Sequence, residues 1–208
     1  MPKSKQMIEK TVCPKCGRES NSAVWDYINV TTDPDLRAVL LDGSLFQWRC
    51  PHCGHQCRAG YALIYHDEAR GFLLCYDAEC EKRELPLNDE LLALPGREVM
   101  RIVRSFPQLA EKIRILTDGM DDRAVEVIKQ ILLASLNSAA VDRLIYAAHY
   151  EGQLAFEALR EGITLGLLPV EESLYRTVLV DVQNVSMPED AFAAIDATWA
   201  EAFLPEQH

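Results

Sequence analysis

The chain has 208 residues, 49% of them hydrophobic, a formal charge of −11, and no apolar run approaching the roughly 20 residues a membrane helix needs. This is enough chain for one large or two small domains around a real core, and it excludes a helical membrane protein. The first ten residues, MPKSKQMIEK, hold no apolar stretch that would serve as a secretory leader, so a cytoplasmic location is expected.

Charge divides the chain. Residues 1–85 carry 11 Lys/Arg against 12 Asp/Glu, whereas residues 86–208 carry 10 against 20, a balance that repels phosphate backbones. Only the extreme N-terminus is basic, with Lys3, Lys5, Lys10, Lys15 and Arg18 against Glu9. Residues 1–10 therefore read as a solvated basic tail.

Residues 11–85 hold all seven cysteines and short apolar runs such as AVWDYINV, LFQWRC and GYALIYH, the marks of a β-rich unit. Within it, TDPDLRAVLLDGS predicts a short inserted helix. Thr32 or Asp33 caps it, Pro34 sits in its first turn, Leu36, Val39 and Leu40 form one face, and Gly43 ends it. A hairpin turn is expected around Glu68–Gly71. Residues 86–96, bounded by prolines, read as a linker to an acidic α+β domain over 97–208.

In that domain, Ser105 and Pro107 predict a break between two helices within 97–119. The second places Leu109, Ile113 and Leu116 on one face and stops at Gly119. Asp121 or Asp122 caps a longer helix with Val125, Ile128, Ile131, Leu132 and Leu136 on its apolar side. VDRLIYAAHY and QLAFEALRE, separated by Glu151-Gly152, predict a hairpin in which Leu154, Phe156 and Ala158 alternate inward. A helix is expected after Pro169. The last helix is expected to open with a capping box, Ser186 to Glu189, and to align Phe192, Ile195, Trp199 and Phe203 as a core stripe. The fold class is thus α+β: a β unit with an inserted helix, then a helical/α+β domain.

The chemistry lies in the repeat CPKCG…CPHCG. Each CxxC loop can turn two sulfurs onto one ion, and Gly17 and Gly54 can take positive φ so that backbone N–H groups face those sulfurs. Four soft thiolates suit tetrahedral Zn2+, so Cys13, Cys16, Cys50 and Cys53 are the expected ligands of one structural zinc in a zinc-ribbon-like unit, with Lys15 and Arg18 offsetting its negative charge. The 33 residues between Cys16 and Cys50 decorate the middle of that ribbon. A shell closed by four thiolates leaves no place for a reacting water, which argues for a structural metal. CPHC also occurs in disulfide oxidants, but there a helix follows the first cysteine, whereas GHQCRAGYALIY here reads as extended.

The other candidates have plainer readings. Cys57, Cys75 and Cys80 read as packed thiols, His52 and His55 as surface residues, and His149 as a structural strand histidine. Tyr65, His66, Asp67 and Glu68 form the only polar cluster that would suit acid–base work, and a hairpin turn accounts for it more simply.

TVCPKCGRES, VWDYINVTTDPDLRAVLLDGSLFQWRCPHCGHQ and the later LIYHDE resemble the CpXC domain family of bacteria and archaea, named for its paired Cys-Pro-X-Cys motifs. The resemblance runs from about residue 11 to about residue 130, and places the family's four motif cysteines on Cys13, Cys16, Cys50 and Cys53. It implies no particular reaction. Three functions follow in order of expectation. The first is a module binding another protein through its rigid knuckle tips, Pro14-Lys15 and Pro51-His52; the second is a nucleic-acid-associated factor using the basic N-terminus. The third is an enzyme with a site near Tyr65, His66 and Asp67, in a chain without GxGxxG, P-loop, HExxH or GxSxG motifs.

Overall fold

A computed structural model describes residues 3–78, 84–86, 98–136, 140–187 and 191–204. The architecture is mixed α+β, and chain contacts divide it into Met1–Phe106 and Pro107–His208. The expected linker lies almost wholly outside the described residues, as does Cys80.

The first unit is built on a mixed sheet. β1 (Lys5–Val12) pairs antiparallel with β2 (Glu19–Asn29), and β2 runs parallel to β5 (Leu63–Asp67). β5 turns antiparallel into β6 (Phe72–Tyr76), which runs parallel to β8 (Val99–Val103). The short antiparallel ribbon β3 (Gln47–Arg49) and β4 (Gln56–Arg58) stands apart from this sheet, and β7 spans Glu84–Pro86. Ile28, Tyr65, Leu74, Leu40 and Phe46, each at most 1% exposed, are among the residues of its interior.

Helix α1 (Asp35–Leu41) lies within the segment the DPDLRAVLLDG pattern marks, but Pro34, not Thr32 or Asp33, is its N-cap and no side chain caps it. Of the expected face Leu40 is buried, Leu36 half-buried and Val39 exposed, and a 3-10 turn follows at Ser44–Phe46. Gly43 between them has φ 77°, and its bare Cα lets the Arg58 guanidinium pass to stack 4.3 Å over Phe106. The hairpin over Glu68–Gly71 is present. Two expectations are corrected here. The basic segment is not a tail from Lys5 onward, because those residues are β1. The segment expected as a first helix is strand β8: Val99, Ile102 and Val103 are β-branched, and the strand lies against β6 with Ile102 and Val103 both 3% exposed. A parallel strand buried on both faces shows no alternation to read.

The second unit packs helices on an antiparallel sheet. α2 (Phe106–Thr117) and α3 (Asp122–Ser135) come first; Asp121 caps α3 by accepting from the Arg123 N–H at 2.9 Å. β9 (Arg143–Tyr150) and β10 (Gln153–Arg160) are joined by the two-residue turn Glu151-Gly152 at φ 49° and 77°, and β10 is the central strand of the three. β11 (Ile163–Glu171) follows a second such turn, Glu161-Gly162, and leads into α4 (Glu172–Gln183). Leu154 and Phe156 face a core that includes Val125, Ile128, Tyr146 and Val182.

β11 is a strand that the sequence disguises, since Gly166 and Pro169 interrupt it; an edge strand tolerates both. The helix expected after Pro169 begins only at Glu172. The expected last helix is also shorter: α5 spans Ala197–Phe203 and is capped by Asp196, which accepts from the Trp199 N–H at 3.0 Å, while Phe192 lies on the short strand β12 (Ala191–Ala193). Glu189 of the expected capping box lies outside the described residues.

The interior of this unit also holds a charged network that periodicity does not announce. Lys112 Nζ lies 3.1 Å from Asp122 Oδ2 and 3.0 Å from Glu126 Oε1, and Lys129 Nζ lies 2.9 Å from Glu111 Oε1 and 3.0 Å from Glu126 Oε2, with all five residues buried. Glu111 Oε1 also accepts the Tyr146 N–H at 2.7 Å. Burial pulls the Lys112 ammonium down, but Asp122 and Glu126 outweigh it and hold it above its ordinary value.

Candidate metal centre

β1 and β2 are joined by the loop beginning at Cys13, and β3 and β4 by the loop beginning at Cys50. Both close alike. The Cys13 N–H donates to the Arg18 carbonyl at 3.0 Å and the Gly17 N–H to the Cys13 carbonyl at 2.9 Å; the Cys50 N–H donates to the His55 carbonyl at 2.8 Å and the Gly54 N–H to the Cys50 carbonyl at 3.0 Å. Gly17 and Gly54 have φ 69° and 70°, the left-handed region that a side chain strains. That turn is what lets the second sulfur of each loop come back beside the first.

The two loops meet. Cys13 Sγ lies 3.7 Å from Cys53 Sγ, Cys16 Sγ lies 3.8 Å from Cys50 Sγ, and all four sulfurs fall within 4.8 Å of one another. Four sulfurs about 2.3 Å from a common ion at tetrahedral angles are about 3.8 Å apart, whereas a disulfide needs about 2.05 Å. The spacing therefore fits a single ion and no covalent bridge. Cys13 and Cys50, each 1% exposed, pack with Trp48, and Cys57 and Ala59 lie against them; Cys16 and Cys53 face solvent.

The quartet is electrostatically divided without a cation. At Cys13 burial raises the thiol, but N–H groups of Cys16 and Lys15 overcome it and bring it down to about 6. At Cys53 the His55 N–H lowers the thiol, but burial and the three neighbouring sulfurs push it up to about 11. Four thiolates so close repel one another, and a divalent ion relieves that repulsion.

Cys57 packs beside the cluster without joining the group of four, and Cys75 lies on β6. His52 is exposed, with Nε2 3.2 Å from the Glu19 carbonyl, so the second loop is tied to the start of β2. His149 is on β9, as the strand pattern predicts, with Nε2 3.5 Å from Glu172 Oε2. Tyr65, His66 and Asp67 are not on a turn but in the interior on β5, at 0%, 0% and 1% exposure. His66 bridges Tyr27 Oη, 2.5 Å from Nδ1, and Glu98, whose oxygens lie 3.0 and 2.9 Å from Nε2. Arg37 Nε donates to Tyr65 Oη at 3.0 Å, and Arg37 and Arg70 both pair with Asp67. Burial, with Glu68 and Glu98 nearby, pushes Tyr27 up to about 12, and burial also raises Glu98. Tyr27, Arg37 and Glu98 escape a sequence reading because they lie 39, 28 and 32 residues from their partners.

A mixed α+β chain with four cysteines gathered from two hairpin loops is a candidate metal-binding protein. The family model described as CpXC protein matches residues 11–129, more than half of the chain, and the chain belongs to that family. No curated protein and no solved structure matches it.

Proposed function

We propose that Cys13, Cys16, Cys50 and Cys53 hold one structural Zn2+, which fastens the β3–β4 ribbon to the β1–β2 hairpin in a zinc-ribbon-like unit, and that this unit presents a protein-binding surface. The observation that carries the metal is the sulfur spacing of 3.7 and 3.8 Å across the two loops. An all-sulfur shell favours zinc over the hard cations, and a tetrahedron filled by protein leaves no position for a reacting water. Thiolate ligands and the lack of disulfide spacing among them suit a reducing cytoplasm. Metal analysis of anaerobically purified protein, with thiol titration before and after chelation, tests the site: one equivalent of zinc masking four thiols supports it.

A binding role is supported by the exposed loop tips and by the polar groove of about 420 Å³ lined by Gln47, Trp48, Arg49, Gln56 and Cys57. A second reading, nucleic-acid binding, is favoured by Lys10, Lys15, Arg18 and Arg49, which lie in or beside the loop sequences of an otherwise acidic chain. Binding to an oligonucleotide at low salt that falls steeply as salt rises would select it; no binding at low salt removes it. For an enzyme, the Tyr65–His66–Asp67 cluster would need access for substrate, and all three side chains are enclosed.

A further inference from the structure

β1 is the outer strand of its sheet, paired with β2 on one side and, among the described residues, with no strand on the other. Its sequence, KQMIEKTV, has neither Pro nor Gly, and the one irregularity in its pairing falls at its first residue, between Lys5 and Gln6. From Gln6 to Val12 it therefore offers a regular row of outward N–H and C=O groups. β11, another edge strand, has Ile163, Leu165 and Leu167 exposed, but a bulge and Pro169 interrupt its edge, devices that blunt strand addition. β1 lacks both over this stretch, yet Met7 is 41% exposed, Ile8 65% and Val12 57%.

Charge then selects the occupant. The chain carries −11, so two copies repel over most of their surfaces; residues 5–29, the β1–β2 hairpin, hold four Lys/Arg against three Asp/Glu and are nearly balanced. A two-fold axis that runs through a residue position of an antiparallel strand pair sets that residue against its own copy. Centred on Glu9 or Lys10, like charges oppose; centred on Met7, the Lys5–Glu9 pairs fall on the irregular first residue and the more exposed Ile8 meets only Gln6. Centred on Ile8, the most exposed apolar residue of β1 meets itself, Gln6 faces Lys10 of the other copy, Met7 faces Glu9, and Glu9 lies diagonal to Lys5 and to Glu9 of the other copy. Met7 and Ile8 both gain a cross-strand neighbour, and no like charges are directly opposed.

We infer that β1 is the self-association edge of this protein, pairing antiparallel with β1 of a second copy about Ile8 to join the two sheets. The association goes beyond the metal reading and does not require the knuckle tips, so both remain separately testable.

Light scattering on the zinc-loaded full chain across a concentration series tests it. The expected mass rises from one chain of 23.5 kDa towards two. Ile8→Lys, which opposes two ammonium groups at the axis, returns the mass to one chain with zinc content unchanged. Gln6 is exposed, so its variants keep the fold and report the register: Gln6→Glu, facing Lys10, tightens association about fivefold, and Gln6→Lys weakens it by a similar factor. A single-chain mass at every concentration overturns the inference. So does a dimer that survives Ile8→Lys, or one that the two Gln6 variants shift equally.

Discussion

Cys13 Sγ and Cys53 Sγ lie 3.7 Å apart although 40 residues separate them in the chain. One is the buried first sulfur of its loop and the other the exposed second sulfur of the opposite loop, and the Cys16–Cys50 pair repeats this at 3.8 Å. Each loop alone can supply only half a tetrahedron. The entropic cost of closing the chain between them must be met by whatever binds all four.

Cys50→Ser removes one of those sulfurs. With three ligands the site loses most of a binding free energy on the order of 10 kcal/mol, and this energy is folding energy for the β3–β4 ribbon and its junction with β1–β2. The expected result is loss of the zinc equivalent and rapid proteolysis within residues 1–106, while far-UV circular dichroism retains the helices of the second unit, which has its own core. A variant that keeps its zinc and its protease resistance speaks against the ligand set.

His66→Ala should be costly. It leaves Tyr27 Oη and the Glu98 carboxyl without the ring that joins them and opens a cavity at a position of 0% exposure. Orphaning buried polar groups costs about 1–3 kcal/mol, so denaturant melts of the first unit should lose about 3 kcal/mol. Zinc stoichiometry at moderate temperature should stay at one, since the bonds of His66 go to Tyr27 and Glu98 and not to the sulfurs.

Lys112→Met tests the buried charges of the second unit. Glu126 retains only Lys129 of its two lysines, and Asp122 loses its 3.1 Å partner. Breaking a buried pair by removing one member costs about 3–5 kcal/mol, and thermal unfolding should report it as a large drop confined to the helical signal.

Alkaline pH should destabilise the first unit. Burial, the largest cause, pushes Tyr27, Tyr61 and Tyr65 from 10.0 up to about 12. The folded state therefore holds the neutral phenols more tightly than the unfolded chain does. This contribution is fully present below pH 10 and is lost as pH rises from 10 through 12. Phenolate absorbance should show a group of tyrosines titrating late, followed at once by unfolding. Tyr27→Phe should lose one of these late phenols and soften the alkaline dependence of the melting temperature.

The elements legible in the sequence share a local cause. The loops at Cys13 and Cys50 depend on spacing and on a glycine four residues after the first cysteine; α1 depends on Pro34 and Gly43; the turn at Glu151-Gly152 depends on two residues that accept positive φ. Val99–Val103 passes for helix because it is short, apolar and without period, and only its place beside β6 makes it a strand. β11 hides because Gly166 and Pro169 break its pattern, which matters little at an edge.

Asp122, Glu126 and Lys129 recur at helical spacing and look like a solvated face, yet they are buried, because a charged stripe pairs inward when Glu111 and Lys112 of the preceding helix supply the opposite charges. His66 passes for a turn residue in the same way, since its partners Tyr27 and Glu98 are distant in sequence.

By itself the sequence determined the mixed α+β class, the family and the four cysteines that can share an ion, because sulfur chemistry, turn stereochemistry and hydrophobic period act over a few residues. Only the tertiary structure decided that those sulfurs meet across two hairpins, that His66 and Lys112 are interior groups, and that β1 is an edge strand among the described residues. These depend on which distant segments exclude water from one another, and water exclusion is a property of the packed chain.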